Sequence, residues 1–448
     1  MATTRLLAYQ SLFSLVQQVS FAATSQHDAL GAHYDAMFAG HSISAIVKSR
    51  HARTTLLQIA TDLGIYGDAR LRNALSEDEQ RIANYISSIL ESESERAAVL
   101  QLTGDSAQYF LDVVQMVTVD RGLLLEKQHN AKARRMIIKL SEACDELPSS
   151  LFISGITRRD EHATFGGGFG DIYQASYGGK TVALKLLRVF QADEQQRQIR
   201  LKFCREALVW QHLRHPFILP LIGIDRETFP SSLCMVSPWM EHGTVLKYLN
   251  EYGRANVDKL LHEIAQALQY LHSQNIIHGD LRGANILITP EWSACLADFG
   301  LTSLADTTAT TRSSRRAGSV RWMAPELIYP AHFKRKFVRT RATDVYAFGC
   351  VCLELYTGQP PFPDLSETVV MFDVLKGDRP DRPSGEPAMS DVLWELVNDC
   401  WTQEPETRPT IQAVVEKLSS DPEMTSMSNA EIINVLSTMQ LFFPPTDP

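Results

Sequence analysis

The hydrophobic period of this chain changes once, near Pro148-Ser149-Ser150, and the change decides what each part can fold into. Before it, apolar residues recur at helical spacing: Ile82, Tyr85, Ile86, Ile89 and Leu90, then Phe110, Val113, Val114 and Val117, then Met136, Ile137, Leu140 and Cys144. Ser76-Glu77-Asp78-Glu79 has the form of a capping box and predicts a helix start. Gly64, Gly67, Gly104 and Gly122 fall between or near the ends of the segments. Each stripe needs a partner for its apolar face, so residues 1–150 are expected to pack as a small helical bundle. No catalytic constellation appears there. The expectation is a regulatory or interaction region, open to a protein partner.

After the break, glycines and β-branched residues enter. Strands are expected around Gly170–Tyr177, 181–187 and 233–236, and helix dominates beyond Gly243. Strands first and helices second predict an α+β domain of two lobes, a β-rich small one and a helical large one, over residues 153–420. The tail, 421–448, is expected to hold one short helix, capped by Ser428 with Glu431 three residues on and ended by Pro444 and Pro445.

Composition excludes several classes. A length of 448 residues suits two domains, and 44% hydrophobic with 21% charged residues is ordinary globular usage. A net charge of −9 gives no basic footprint for nucleic acid. No run approaches the roughly 18 apolar residues of a transmembrane helix. Residues 1–27 hold no acid and one base, Arg5, but Gln10, Gln17 and Gln18 interrupt their apolar run. A plain amphipathic helix is expected there rather than a targeting segment. Seven cysteines show no metal-ligand spacing; Cys350 and Cys352 read as core. Such usage suits a reducing compartment and an intracellular, cytoplasmic setting, with membrane association left open.

Four segments carry chemistry. Phe165-Gly166-Gly167-Gly168-Phe169-Gly170-Asp171-Ile172-Tyr173 can turn its backbone close to phosphates and offer N–H donors. Val182-Ala183-Leu184-Lys185 ends an apolar strand with an ammonium that needs an anionic partner. Glu206, in a helix expected over 201–213, can supply it. Ile276-Ile277-His278-Gly279-Asp280-Leu281-Arg282-Gly283-Ala284-Asn285-Ile286-Leu287 sets an Asp and an Asn five apart before an apolar strand. Leu296-Ala297-Asp298-Phe299-Gly300 places another acid at a strand end. Asn285 and Asp298 offer the hard oxygens that Mg²⁺ prefers, and Asp280 remains to accept a hydroxyl proton. Taken singly, each acid reads as a solvated loop residue or a helix cap.

In this order, with Ala324-Pro325-Glu326 behind them, the segments resemble the protein-kinase signature. Asp344 in Thr343-Asp344-Val345-Tyr346-Ala347-Phe348-Gly349 and Arg408 within 401–409 extend the likeness. The wording HGDLRGANIL, WMAPE and DVYAFG is similar to tyrosine-kinase-like protein kinases, particularly a fungal group with helical N-terminal extensions. The resemblance implies a bilobal protein-kinase fold, ATP and Mg²⁺ as cofactors, and protein substrates. It implies Lys185 on the α- and β-phosphates and paired with Glu206, and Asp280 as catalytic base. Arg282 falls where many Ser/Thr kinases carry a Lys against the γ-phosphate, and Asn285 and Asp298 fall on the Mg²⁺ ligands. Gly167, Gly168, Gly170, Ile172 and Ala183 would line the nucleotide, with Ser237 as gatekeeper and Pro238, Trp239 and Met240 as hinge. Asp344 would anchor a large-lobe helix to the catalytic loop, and Arg408 would pair with Glu326.

Three positions depart from the pattern. Phe165 replaces the first loop glycine, Gly279 replaces the arginine before Asp280, and Ser319 stands where Thr is usual. That arginine ordinarily meets an activation-loop phosphate, so control by the hydroxyl-rich segment 301–320 is expected to be lost and to pass to the N-terminal region or the tail. Gly318-Ser319-Val320-Arg321-Trp322-Met323 resembles the Ser/Thr type. Asp280-Leu281-Arg282-Gly283-Ala284-Asn285 also resembles some tyrosine kinases, which keeps tyrosine or dual specificity as an alternative. A pseudokinase scaffold is the alternative of another class, opposed by the presence of Lys185, Asp280 and Asp298. The strip 333–341, with Lys334, Arg335, Lys336, Arg339 and Arg341 and no acid, reads as a solvated face or as a dock for an acidic partner.

Overall fold

The structure, a computed structural model, describes residues 8–20, 42–120, 122–123, 127–158, 160, 162–167, 170–186, 193–229, 232–298, 303–304 and 320–420. The N-terminal region is helical: α1 (Gln10–Ser20), α2 (Ser42–Asp62), α3 (Ala69–Glu91), α4 (Glu93–Val99), α5 (Gly104–Gln115) and α6 (Lys127–Cys144). A π-helical turn, Met116–Asp120, continues α5. The expected stripes point inward: Ile82, Ile86, Ile89, Leu90, Phe110, Val114, Val117, Ile137 and Leu140 are all essentially buried.

The capping-box reading of Ser76–Glu79 is corrected. Those residues lie inside α3, which starts at Ala69 behind Asp68, whose carboxylate accepts the Arg70 N–H at 2.9 Å. The apolar period runs through Leu71 and Ala74, so no boundary exists at Ser76. Asp78 serves another helix: it is buried, and its two oxygens accept the N–H groups of Ser11 and Leu12 at 2.9 Å each. It therefore caps the first turn of α1, whose leading N–H groups have no intrahelical partner.

A 3-10 turn, Ser149–Leu151, leads into the small lobe. There the Ile153 N–H bonds to the Ile224 carbonyl at 3.0 Å. Gly223 permits this join, because the Leu151 carbonyl lies 2.9 Å from where a Cβ would stand. The strands are β1 (Thr157–Arg158), β2 (Phe165–Gly167), β3 (Gly170–Tyr177), β4 (Lys180–Leu186), β5 (Gly223–Asp225) and β6 (Cys234–Pro238). They form an antiparallel sheet ordered β1-β3-β4-β6-β5, with β2 also on β3. Helix α7 (Asp193–Trp210) follows β4 and starts earlier than the expected 201–213. Its first residues are almost all polar, so no apolar stripe announces them.

The large lobe holds α8 (Val245–Tyr252), α9 (Val257–Ser273), α10 (Pro325–Ile328), α11 (Arg341–Thr357), α12 (Glu367–Lys376), α13 (Asp391–Cys400) and α14 (Ile411–Ser419). Four short strands, β7 (Ile276–Ile277), β8 (Ile286–Ile288), β9 (Ala294–Leu296) and β10 (Ser303–Leu304), pair as β7 with β10 and β8 with β9. Helix α11 is the axis of this lobe. Thr340 and Thr343 form a capping box at its start, and every residue from Thr343 to Tyr356 is buried, Cys350 and Cys352 among them. One continuous apolar core runs through the bundle, α7 and the large lobe, while Ala175, Val182, Leu184, Cys234 and Val236 form a separate small-lobe core. Among the described residues no helix is long and apolar enough to cross a membrane. The helix expected at Ser428 and Glu431 lies outside the described residues.

Replacing Asp78 by Ala should strand one buried and one half-buried N–H group at the start of α1. A loss of about 2 kcal/mol in denaturant-derived stability is expected. An unchanged midpoint would show that Asp78 does not hold α1.

Candidate active site

The strand register places the nucleotide-facing candidates side by side. Gly167 pairs with Gly170 across the β2–β3 hairpin, Ile172 with Lys185, and Ala183 with Ser237. Pro238 ends β6 opposite Val182, and the chain leaves toward Met240 with the Trp239 N–H bonded to the Thr181 carbonyl at 3.2 Å. Gly168 lies outside the described residues, as do Phe299, Gly300 and 305–319. Phe165 has a contact of its own: its ring, 55% exposed, lies 6.0 Å from that of Trp239 at a shallow angle. An aromatic pair thus joins the glycine-rich strand to the hinge.

Lys185 is the junction. Its Nζ lies 3.0 Å from Glu206 Oε1 on α7 and 2.8 Å from Asp298 Oδ1 beyond β9. Burial alone would depress the ammonium's pKa; Asp298 and then Glu206 outweigh it, and the net direction is up. Lys185 is therefore charged. Asp298 sits in the left-handed region, at φ 60°, a conformation uncommon for a residue with a Cβ.

Asp280 and Asn285 meet directly. The Asn285 amide nitrogen donates to the Asp280 carbonyl at 2.7 Å and to its Oδ2 at 3.0 Å. This commits the nitrogen and leaves the amide oxygen as donor atom toward a cation. The Asn285 carbonyl accepts the Ala297 N–H at 2.9 Å, which brings Asp298 to the same end of the site. An amide oxygen and a carboxylate suit Mg²⁺, which binds few protein ligands and shares its shell with phosphate and water. Arg282 Nε lies 3.7 Å from Asp280 Oδ2, a charge contact beyond hydrogen-bond length.

The loop carrying these groups is held from α11. Asp344, almost fully buried, accepts the N–H groups of His278 and Gly279 at 2.9 Å each, and His272 Nε2 lies 2.9 Å away. His278 Nε2 is 3.1 Å from the Ala297 carbonyl. Arg408 and Glu326 form a bidentate pair at 2.7 and 2.8 Å.

Two holding residues escaped the sequence reading. Glu354 Oε2 accepts both the Gly283 N–H and the Trp322 indole N–H at 2.8 Å, joining the loop that carries Asp280 to the segment before Ala324-Pro325-Glu326. An acid inside the apolar run of α11 was its signal. Arg339 Nε donates to the Gly279 carbonyl at 2.8 Å, so a guanidinium lies beside the position that lacks one. The basic strip is thus partly spent inside the molecule. Arg339 and Arg341 contact Gly279 and Asn275, and Arg335 pairs with Glu406, while Lys334 and Lys336 are exposed.

The model of the family described as protein tyrosine and serine/threonine kinase matches residues 162–418. The chain belongs to this family. Over 257 residues it is 33% identical to the serine/threonine/tyrosine-protein kinase HT1 of Arabidopsis thaliana, covering 55% of this chain and 62% of that protein. It is 31% identical over 279 residues to the tyrosine-protein kinase Abl of Drosophila melanogaster, covering 60% of this chain and 16% of that one. With the serine/threonine-protein kinase CTR1 of Arabidopsis thaliana it shares 30% over 261 residues, 56% and 30% of the two lengths. The chain therefore spans less than two thirds of each of these relatives. The matches bear out the resemblance to tyrosine-kinase-like protein kinases and the bilobal fold it implied.

Glu354 generates a pH prediction. Burial pushes its carboxyl up to about 7, against the Gly283 N–H, the Trp322 indole and the Arg282 charge, which all pull it down. A folded value above the ordinary carboxylate range stabilises the protein below pH about 4.5, and this contribution is lost as pH rises through about 7. Glu354→Gln can still accept both hydrogen bonds and cannot ionise. Between pH 4.5 and 8 wild type should lose about 3 kcal/mol relative to it in denaturant titrations. Parallel pH curves for the two proteins would overturn this account.

Proposed function

We propose that this chain transfers the γ-phosphoryl group of ATP to serine and threonine hydroxyls of protein substrates. Residues 153–420 are the kinase domain in this reading, and residues 1–150 a regulatory or interaction region. The observation that carries it is the ion cluster in which Lys185 reaches Glu206 and Asp298 at 3.0 and 2.8 Å, beside the bonded pair Asp280 and Asn285.

Each residue then has a task. Lys185, oriented by Glu206, meets the α- and β-phosphates. Gly167, Gly168 and Gly170 let backbone approach the phosphates, while Ile172, Ala183, Ser237, Pro238 and Met240 enclose the base. Asn285 and Asp298 would hold Mg²⁺, which would supply neutralisation of the charge on the transferred group. Asp280 accepts the proton of the substrate hydroxyl as its oxygen bonds to the γ-phosphorus. The bond from that phosphorus to the bridging oxygen breaks, and the electron pair leaves with ADP. Arg282, next to Asp280, faces the transferred charge.

Serine and threonine are favoured by Gly318-Ser319-Val320-Arg321-Trp322-Met323 and by the names of HT1 and CTR1. The names of HT1 and Abl keep tyrosine as a defined second outcome.

The full chain should label a generic protein substrate with radioactive ATP, and phosphoamino-acid analysis should give phosphoserine and phosphothreonine. Phosphotyrosine would overturn the specificity, and absence of transfer would favour a scaffold. Lys185→Met should lower transfer more than about 100-fold, the scale of preorganised electrostatic stabilisation; retained activity removes Lys185 from the mechanism. Asp298→Asn exchanges a charged ligand for a neutral one, so its residual activity should require more Mg²⁺. A wild-type Mg²⁺ dependence would contradict metal ligation there.

A further inference from the structure

Helix α7 carries Glu206, and its outer side is occupied by the N-terminal region. α6 packs along α7. Phe203, Cys204, Ala207 and Leu208 of α7 are buried in the same continuous core as Ile137 and Leu140 of α6. Polar contacts border that seam. Gln115, at the end of α5, and Gln211, just past α7, are both buried and exchange amide hydrogen bonds of 2.6 and 3.2 Å. Arg205, next to Glu206 in sequence, pairs with Glu142 of α6 at 2.8 Å. One turn earlier Arg200 pairs with Asp145, beyond the end of α6, at 3.0 Å. The same α6 reaches the large lobe, where Arg134 donates to the Gln274 side chain at 3.3 Å.

We infer that the N-terminal helical region is a built-in partner of the kinase domain, whose α5–α6 face holds α7 inward so that Glu206 stays on Lys185. This rests on the kinase reading of the Lys185 site and names how that site is controlled. α7 packs along α6, so its tilt is set by that contact. With the bundle in place, moving Glu206 off Lys185 opens an apolar core and parts a buried amide pair. An unpaired buried amide has no water to replace its partner. Glu142, Asp145 and Gln115 are therefore positioning residues: none meets the nucleotide, and all act through α7. The seam suits an intramolecular partner because its charges match in pairs, Glu142 and Asp145 from the bundle against Arg205 and Arg200 from the helix.

The test uses the full chain and substitutions confined to the bundle: Gln115→Leu, Glu142→Arg and Asp145→Arg together. Turnover should fall about fivefold or more. Backbone hydrogen exchange should rise across residues 200–211 and remain as in wild type in α11. Adding Gln211→Leu, Arg200→Glu and Arg205→Glu removes the stranded amide, reverses both charge pairs and should restore most of the turnover and the protection. Wild-type turnover and exchange in the triple variant would overturn the inference, as would failure of the reversed pairs to restore either. If the triple variant does not fold, Glu142→Arg alone and its reversal with Arg205→Glu make the same decision. Should wild type transfer no phosphoryl group, the kinase reading fails, while exchange at 200–211 and its restoration still judge the clamp.

Discussion

A lysine ammonium almost shut off from water cannot stand without carboxylates, and the position of Lys185 makes three elements converge. The charge sits on β4, one carboxylate on α7 and the other past β9, so a sheet, a helix and the large lobe meet at one nitrogen. Removing one partner of a buried pair typically costs about 3–5 kcal/mol, because the remaining charge is left unpaired. Two partners are present, each within hydrogen-bond range. The strained backbone of Asp298 is understandable in this setting. A left-handed residue costs of order 1 kcal/mol, and the ion contact outweighs it. The lobes are thus tied together where phosphates would bind, by groups whose charge those phosphates would share.

The rest of the site depends on α11 in the same manner. This helix is buried almost throughout, yet it spends two acidic side chains on the loop above it: Asp344 on the N–H groups of His278 and Gly279, and Glu354 on that of Gly283. Arg339, just before the helix, takes the Gly279 carbonyl. The loop from His278 to Asn285 is therefore shaped both by contacts to its backbone from outside and by its own His278 and Asn285 side chains. Gly279, at φ 78°, bends there without strain, and its N–H and C=O are both engaged. A loop held at so many points meets the condition for electrostatic stabilisation without reorganisation.

The sequence displayed the site better than its supports. Lys185, Asp280, Asn285 and Asp298 were legible because acids and a lysine at strand ends break apolar patterns, and because their order matches a signature. The bundle's helices were legible from their period. Asp78 was misread, since a capping box is a local pattern and the competing evidence was the helical stripe on either side of it. The start of α7 was missed because its first turns are polar. Arg339 was noticed only as one base in a basic strip, and no local pattern shows that its guanidinium turns to a carbonyl sixty residues earlier in the chain. Periodicity says that a face is apolar; it does not say which other apolar face will cover it.

The seam between α6 and α7 illustrates that limit and also how the two kinds of contact divide the work. The ion pairs Glu142 with Arg205 and Asp145 with Arg200 are partly exposed, and pairs of this kind contribute about 0–1 kcal/mol each. They fix register more than they add strength. The apolar core beneath them supplies the attraction at roughly 25 cal/mol per Å² buried, but without direction, since one apolar ridge slides over another at little cost. A helix that must hold Glu206 within hydrogen-bond distance of Lys185 needs both. The core keeps α7 against the bundle, and the buried amide pair of Gln115 and Gln211 fixes the end of α5 against the end of α7. Because the cost of misalignment is concentrated in a few polar contacts, substitutions at the rim can move the active-site ion pair while leaving the fold intact.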